Sequence, residues 1–188
     1  DKLIACTQFN EIIAIAPDTG EEIWRFDPQV PTGGKPANQF TCRGVSYWKS
    51  KEENDAECSS RIFMGTVDAR LISVDAQNGK LCRDFGNNGA VLIEPSVSLR
   101  WPGELQITSA PAIIDDIVIT GSAIGDNLRT EAPIGTVHAF NAKTGELLWA
   151  FNPVPRKSDD PARATWSGNS ADVTGHANVW STISVDEE

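Results

Sequence analysis

Ile12-Ile13-Ala14-Ile15-Ala16-Pro17-Asp18-Thr19-Gly20-Glu21-Glu22-Ile23-Trp24-Arg25-Phe26 reads as an apolar-alternating run, a polar turn closed by glycine, and a second alternating run. Alternation with period two is the signature of a half-buried strand, and a glycine closing the turn supplies the positive φ that a tight connection demands. The stretch is therefore read as a hairpin. It recurs at Leu71 to Phe85 and at Val137 to Phe151, with Gly20, Gly79 and Gly145 aligned and Trp24, Arg83 or Trp149 four residues beyond each glycine.

Working outward, two further strand candidates lie between successive hairpins: Gly44 to Trp48 with Arg61 to Thr66, then Ala110 to Ile114 with Ile117 to Ser122. Asn178 to Val185 reads as the start of another. A repeat of about 60 residues holding four short strands fits one blade of a β-propeller better than a strand pair of a sandwich. No helical period is sustained. The expected fold is all-β: residues 1–188 form a single partial propeller domain with about half a blade, two full blades and the start of a fourth. So few blades cannot close a ring, and both chain ends read as cuts within a longer protein. Asp27 to Asn38, Asn87 to Gly103 and Pro153 to Ala177 read as linkers or long loops, where function tends to concentrate.

The chain has 188 residues, 40% of them hydrophobic, and a formal net charge of −10. The acidic balance, without any basic run, makes nucleic acid and anionic membranes poor partners. No stretch approaches the roughly 20 apolar residues of a membrane span, and no leader is visible before Leu3. Neither a hydrolase elbow, a P-loop nor a dinucleotide-binding glycine motif occurs. The four cysteines, at 6, 42, 58 and 82, lack the paired spacing of a zinc site. Cys42 and Cys58 flank the polar excursion Lys49 to Asn54 and could close it as a disulfide, although three pairings are open and buried free thiols remain an alternative.

The pattern of Ala16 to Trp24, echoed in Asn141 to Trp149, resembles the tryptophan-docking motif of dehydrogenases that use pyrroloquinoline quinone (PQQ). Thr41-Cys42-Arg43-Gly44-Val45-Ser46-Tyr47, Gly79-Lys80-Leu81-Cys82, Thr108-Ser109-Ala110-Pro111, Gly121 to Asn127 and Asn178-Val179-Trp180 follow in order, and the whole is similar to the glucose and quinate dehydrogenase branch. The resemblance implies an amino-terminal portion of an eight-bladed catalytic propeller, periplasmic and anchored to the inner membrane by a segment absent here. It implies oxidation of a sugar or cyclitol by hydride transfer to PQQ, with electrons passed to ubiquinone. A PQQ-dependent alcohol dehydrogenase and a non-enzymatic propeller scaffold of the outer-membrane assembly type are the alternatives.

The resemblance also implies roles. Arg43 would clamp a PQQ carboxylate, which a planar guanidinium grips bidentately; from residue type alone it is equally an ion-paired surface arginine. Trp180 would carry the quinone ring on its flat face, and Thr108 would donate a hydrogen bond to it. Asp126 with Asn127 would supply hard oxygen ligands to Ca²⁺ or Mg²⁺, where a simple turn is the plainer reading. Gln39, which the resemblance places with the cofactor-binding residues, stands where glucose-oxidising members commonly carry His, and it cannot titrate near neutrality. Trp24 and Trp149 are expected to pack blade on blade. The family's general base and its quinone-contacting Lys belong to later blades, so no catalytic residue is expected in this chain.

Overall fold

A computed structural model describes residues 1–52, 56–125 and 128–186. Three antiparallel sheets follow one another along the chain. The first comprises β1 (Leu3–Cys6), β2 (Ile12–Ile15) and β3 (Glu22–Phe26), in that order. The second comprises β4 (Ser46–Lys49), β5 (Ser60–Gly65), β6 (Arg70–Asp75) and β7 (Ala90–Leu92). A two-stranded ribbon of β8 (Leu105–Gln106) and β11 (Ala123–Ile124) stands apart, and the third sheet runs β9 (Ala112–Ile114), β10 (Ile117–Thr120), β12 (Val137–Asn141), β13 (Leu147–Phe151). The chain is thus nearly all-β, in the meandering four-stranded sheets of a propeller blade. A 3₁₀ turn at Pro161–Thr165 and the short helix α1 (Ser170–Val173) interrupt the loop that the sequence reads as polar linker.

The repeated turn is one structure used three times. Gly20, Gly79 and Gly145 have φ of +75°, +73° and +74°, and each donates its N–H to the residue four positions back, Ala16, Asp75 or Asn141. Thr19, Asn78 and Thr144 each accept the N–H two residues on with a side-chain oxygen. Short polar side chains that mimic a backbone turn explain why these types recur there.

The sheets stack through these turns. Trp24, nearly buried, lies against Gly79 so closely that a Cβ there would come within 2.5 Å of the indole. Ile12, Ala14 and Trp24 share one apolar layer with Ile62, Met64, Ile72 and Val74. A second layer joins Trp48, Phe63, Leu71 and Phe85 to Val118 and Phe140. Polar ties also cross this second joint. The buried Arg61 guanidinium donates to the carbonyls of Cys58 and Lys143 and to Asp84, and the Trp48 indole N–H donates to Asp116.

Three expectations need correction. The Leu71 to Phe85 hairpin shrinks to β6 and a single bridge, Val74 to Leu81, and the ladder resumes only at β7. The cause is that Cys82 is covalently pinned and Phe85 is drawn into the core through successive turns at Cys82 and Phe85, so the chain leaves the sheet. Asn178 to Val185 forms no strand; it runs as irregular chain, with Val179 and Ile183 packed on the third sheet. Trp149 is 44% exposed on β13, and the described residues hold no following sheet for it to pack against. The Cys42–Cys58 pairing does not form, nor are there free thiols: the disulfides are Cys6–Cys42 and Cys58–Cys82. The polar excursion needs no covalent closure because the β4–β5 ladder already zips its ends, continuing into Ser50 N–H to the Ser59 carbonyl.

Candidate functional site

The first wall of the site is an arm, residues 36–43, crossing between the first sheet and the second. It has no regular structure, so its shape depends on outside partners. Ala37 donates to the Gly103 carbonyl at 2.9 Å. The buried Gln106 amide accepts the Asn38 N–H at 3.1 Å and donates to the Gln39 carbonyl at 3.4 Å. Asn10, fully buried in a left-handed turn, donates to the Thr41 carbonyl and accepts the Val67 N–H. Cys42 is tied to Cys6 at the end of β1. The Arg43 N–H closes the series on the Thr108 carbonyl at 3.0 Å.

The second wall is the segment 178–180, which lies against the strand end after β10. The Val179 carbonyl accepts the Ser122 N–H, and Asn178 donates to the Ser122 carbonyl at 3.0 Å. That approach requires Gly121, where a Cβ would meet the Val179 carbonyl oxygen. The Ser109 hydroxyl donates to the Trp180 carbonyl.

Between the walls is a cavity of about 200 Å³, floored by Ala123 and Ile124 of β11. Arg43, Thr108 and Trp180 meet in it. Arg43 Nη1 donates to the Thr108 hydroxyl at 2.5 Å, and its guanidinium carbon sits 5.2 Å from the Trp180 ring centroid, a cation–π distance. No other acceptor engages the guanidinium among the described residues, so its remaining N–H groups are available. Trp180 is 54% exposed and Thr108 is buried. Asn38 and Asn178 add amides to the lining; neither was marked as a site residue by sequence, since only the folded arm and the Gly121 contact bring them there. Gln39 does not line the cavity: its φ of +65° leaves the residue exposed while its carbonyl faces Gln106.

The other sequence candidates, Asp126 and Asn127, lie outside the described residues. On either side the chain is fastened to one residue: Glu104 accepts the Gly125 N–H on its carbonyl, and its fully buried carboxylate is bidentate to Arg129 at 2.9 and 2.8 Å. Among the described residues no cluster of three or more His, Cys, Asp or Glu could hold a metal ion. A wider groove of about 410 Å³ beside Phe26 and Leu92 lacks a comparable handle, because its Arg70 is already committed to Asp68 and the Pro28 carbonyl.

A cation fork with no acidic partner among the described residues, a flat aromatic face and neutral amides over an apolar floor suit a planar ligand bearing carboxylates. The family described as PQQ glucose/ethanol/alcohol dehydrogenase, β-propeller domain, matches residues 1–188. The chain belongs to this PQQ β-propeller family. It is 37% identical to quinoprotein glucose dehydrogenase of Escherichia coli K12 over 81% of its length, and 33% identical to the glycerol dehydrogenase large subunit of Gluconobacter thailandicus over 100%. It spans only 20% and 25% of those proteins. Quinohemoprotein alcohol dehydrogenase from Comamonas testosteroni superposes on 98% of the chain with a TM-score of 0.71 at 24% identity, a likeness of fold, and 26% of that chain is covered. For a PQQ β-propeller chain the residues of the cavity fit the cofactor's chemistry: a guanidinium with no carboxylate partner among the described residues and an open indole face for the ring.

Proposed function

We propose that this chain is the portion of a PQQ-dependent dehydrogenase that grips one side of the cofactor, in an enzyme oxidising a sugar or cyclitol. The observation that supports the reading best is the meeting of Arg43, Thr108 and Trp180 around one cavity. Arg43 binds a carboxylate of the cofactor, Trp180 orients its ring, and Thr108 holds Arg43 in place; Ile124 and Ala123 keep water from the floor. PQQ, when bound, accepts hydride from the alcohol carbon. None of the described lining residues is a carboxylate or histidine, so they offer no base for the alcohol proton. A Ca²⁺ or Mg²⁺ ion at Asp126 and Asn127 completes the proposed site.

Relatives named for glucose, glycerol and quinate support a small polyhydroxylated substrate. Two disulfides favour an oxidising compartment, in keeping with a periplasmic location. Inner-membrane anchoring and electron transfer to ubiquinone are part of the same proposal.

The test is titration of the full-length protein with PQQ in the presence of Ca²⁺ or Mg²⁺, followed by tryptophan fluorescence, then dye reduction with glucose, quinate and glycerol. Saturable quenching and substrate-dependent reduction are expected. Absence of PQQ binding by a folded protein refutes the reading; reduction with glycerol alone refutes the sugar or cyclitol assignment.

A further inference from the structure

We infer that Gln106 is a positioning residue of the cofactor site, setting the arm that carries Asn38 and Arg43. The inference rests on the proposed PQQ site and adds a residue that touches no ligand. Gln106 is fully buried on β8, and its backbone partner across the ribbon is Ala123, part of the cavity floor. Its side chain accepts from Asn38 N–H and donates to the Gln39 carbonyl, so one amide fixes the peptide groups on either side of the Asn38–Gln39 link. The partners also fix the orientation of that amide, because an N–H must meet its oxygen and a carbonyl its nitrogen.

The location gives the contact its consequence. Gln39 occupies a left-handed conformation that a non-glycine residue holds only when its surroundings impose it. The strained residue sits between Asn38, on the cavity wall, and Thr41-Cys42-Arg43. Releasing the Gln106 bonds lets Gln39 relax to negative φ, which turns Asn38 off the wall and shifts the approach of Arg43 to Trp180. The Gln39 N–H on the Pro36 carbonyl and the Thr41 hydroxyl on the Asn38 carbonyl hold the peptide group between the two residues, but neither reaches the Asn38 N–H or the Gln39 carbonyl, so they do not replace the lost bonds.

A primary amide accepts on its oxygen and donates from its nitrogen, in one plane. Gln106→Met keeps the shape and removes both bonds. Gln106→Glu keeps the acceptor for Asn38 but sets a carboxylate oxygen against the Gln39 carbonyl.

The experiment uses the full-length protein with wild type, Gln106→Met, Gln106→Glu and Arg43→Ala, comparing backbone amide exchange at Asn38 and PQQ titrations. Asn38 exchange is expected to accelerate about ten-fold in Gln106→Met and to stay near wild type in Gln106→Glu, with PQQ affinity lowered about five- to ten-fold in both. Arg43→Ala lowers affinity while leaving Asn38 protected, which separates loss of a ligand contact from loss of position. Unchanged Asn38 protection in Gln106→Met overturns the inference, as does wild-type affinity in both Gln106 variants. If the wild type binds no PQQ, the proposed function fails while the exchange comparison still decides whether Gln106 sets the arm. Should Gln106→Met fail to fold, Gln106→Glu carries the test through affinity alone.

Discussion

Arg43 and Trp180 share one face of the site: the guanidinium carbon lies 5.2 Å from the indole centroid while its Nη1 is held by Thr108. A fork oriented in this way loses more on replacement by Lys than its charge suggests. Arg43→Lys is expected to weaken PQQ binding about ten-fold and Arg43→Ala about 30- to 100-fold, from the worth of charge-assisted hydrogen bonds. Fluorescence titration measures both; equal affinities for Arg, Lys and Ala refute the clamp.

The Trp24 contact with Gly79 joins two sheets. Trp24→Ala is expected to cost about 3–5 kcal/mol. Gly79→Ala is penalised twice, by a φ of +73° and by the indole 2.5 Å from the added carbon, so about 1–3 kcal/mol or more is expected. Urea unfolding of the single and double variants decides this. Gly79→Ala is expected to be milder in the Trp24→Ala background; strict additivity argues against direct contact.

Replacing Cys6 and Cys42 together by Ser is expected to destabilise by about 2–4 kcal/mol, given the 36-residue separation the bridge spans. Because Cys42 adjoins Arg43, PQQ affinity is expected to fall in the same variant. The Cys58 and Cys82 pair, which takes part in none of the arm's fastenings described above, should affect stability and leave affinity within two-fold, about 0.4 kcal/mol. Affinity lost equally in both variants counts against a local effect on the arm.

Burial holds the His138 imidazole below its ordinary value of 6.5, against a smaller opposing effect of its hydrogen bond with the Thr136 backbone. The folded state therefore takes up the proton less readily than the unfolded chain. Stability from this residue is complete above about pH 6.5 and is lost as pH falls from there toward the lowered folded value. Between pH 8 and 5.5, wild type should lose more stability than His138→Gln; parallel profiles would exclude the effect.

Period-two alternation made the strands legible, since hairpins such as Ile12 to Phe26 encode pairing and turn in contiguous residues. The Leu71 to Phe85 hairpin misled because a covalent tie at Cys82 and the burial of Phe85 override local alternation. Arg43, Thr108 and Trp180 were legible through motifs, whereas Asn38, Asn178 and Gln106 were not. Their placement depends on a left-handed Gln39 and on contacts across distant segments, which no local pattern announces.

Numbered along the chain, the first cysteine pairs with the second and the third with the fourth. A polypeptide crossing a membrane amino end first presents Cys6 and Cys42 to an external oxidant before Cys58 and Cys82 arrive. Oxidation in order of arrival then yields the native connectivity directly, whereas a crossed pattern would demand thiol exchange to undo early mispairs. If the protein is exported as proposed, these two bonds need no reshuffling to reach their native pairing.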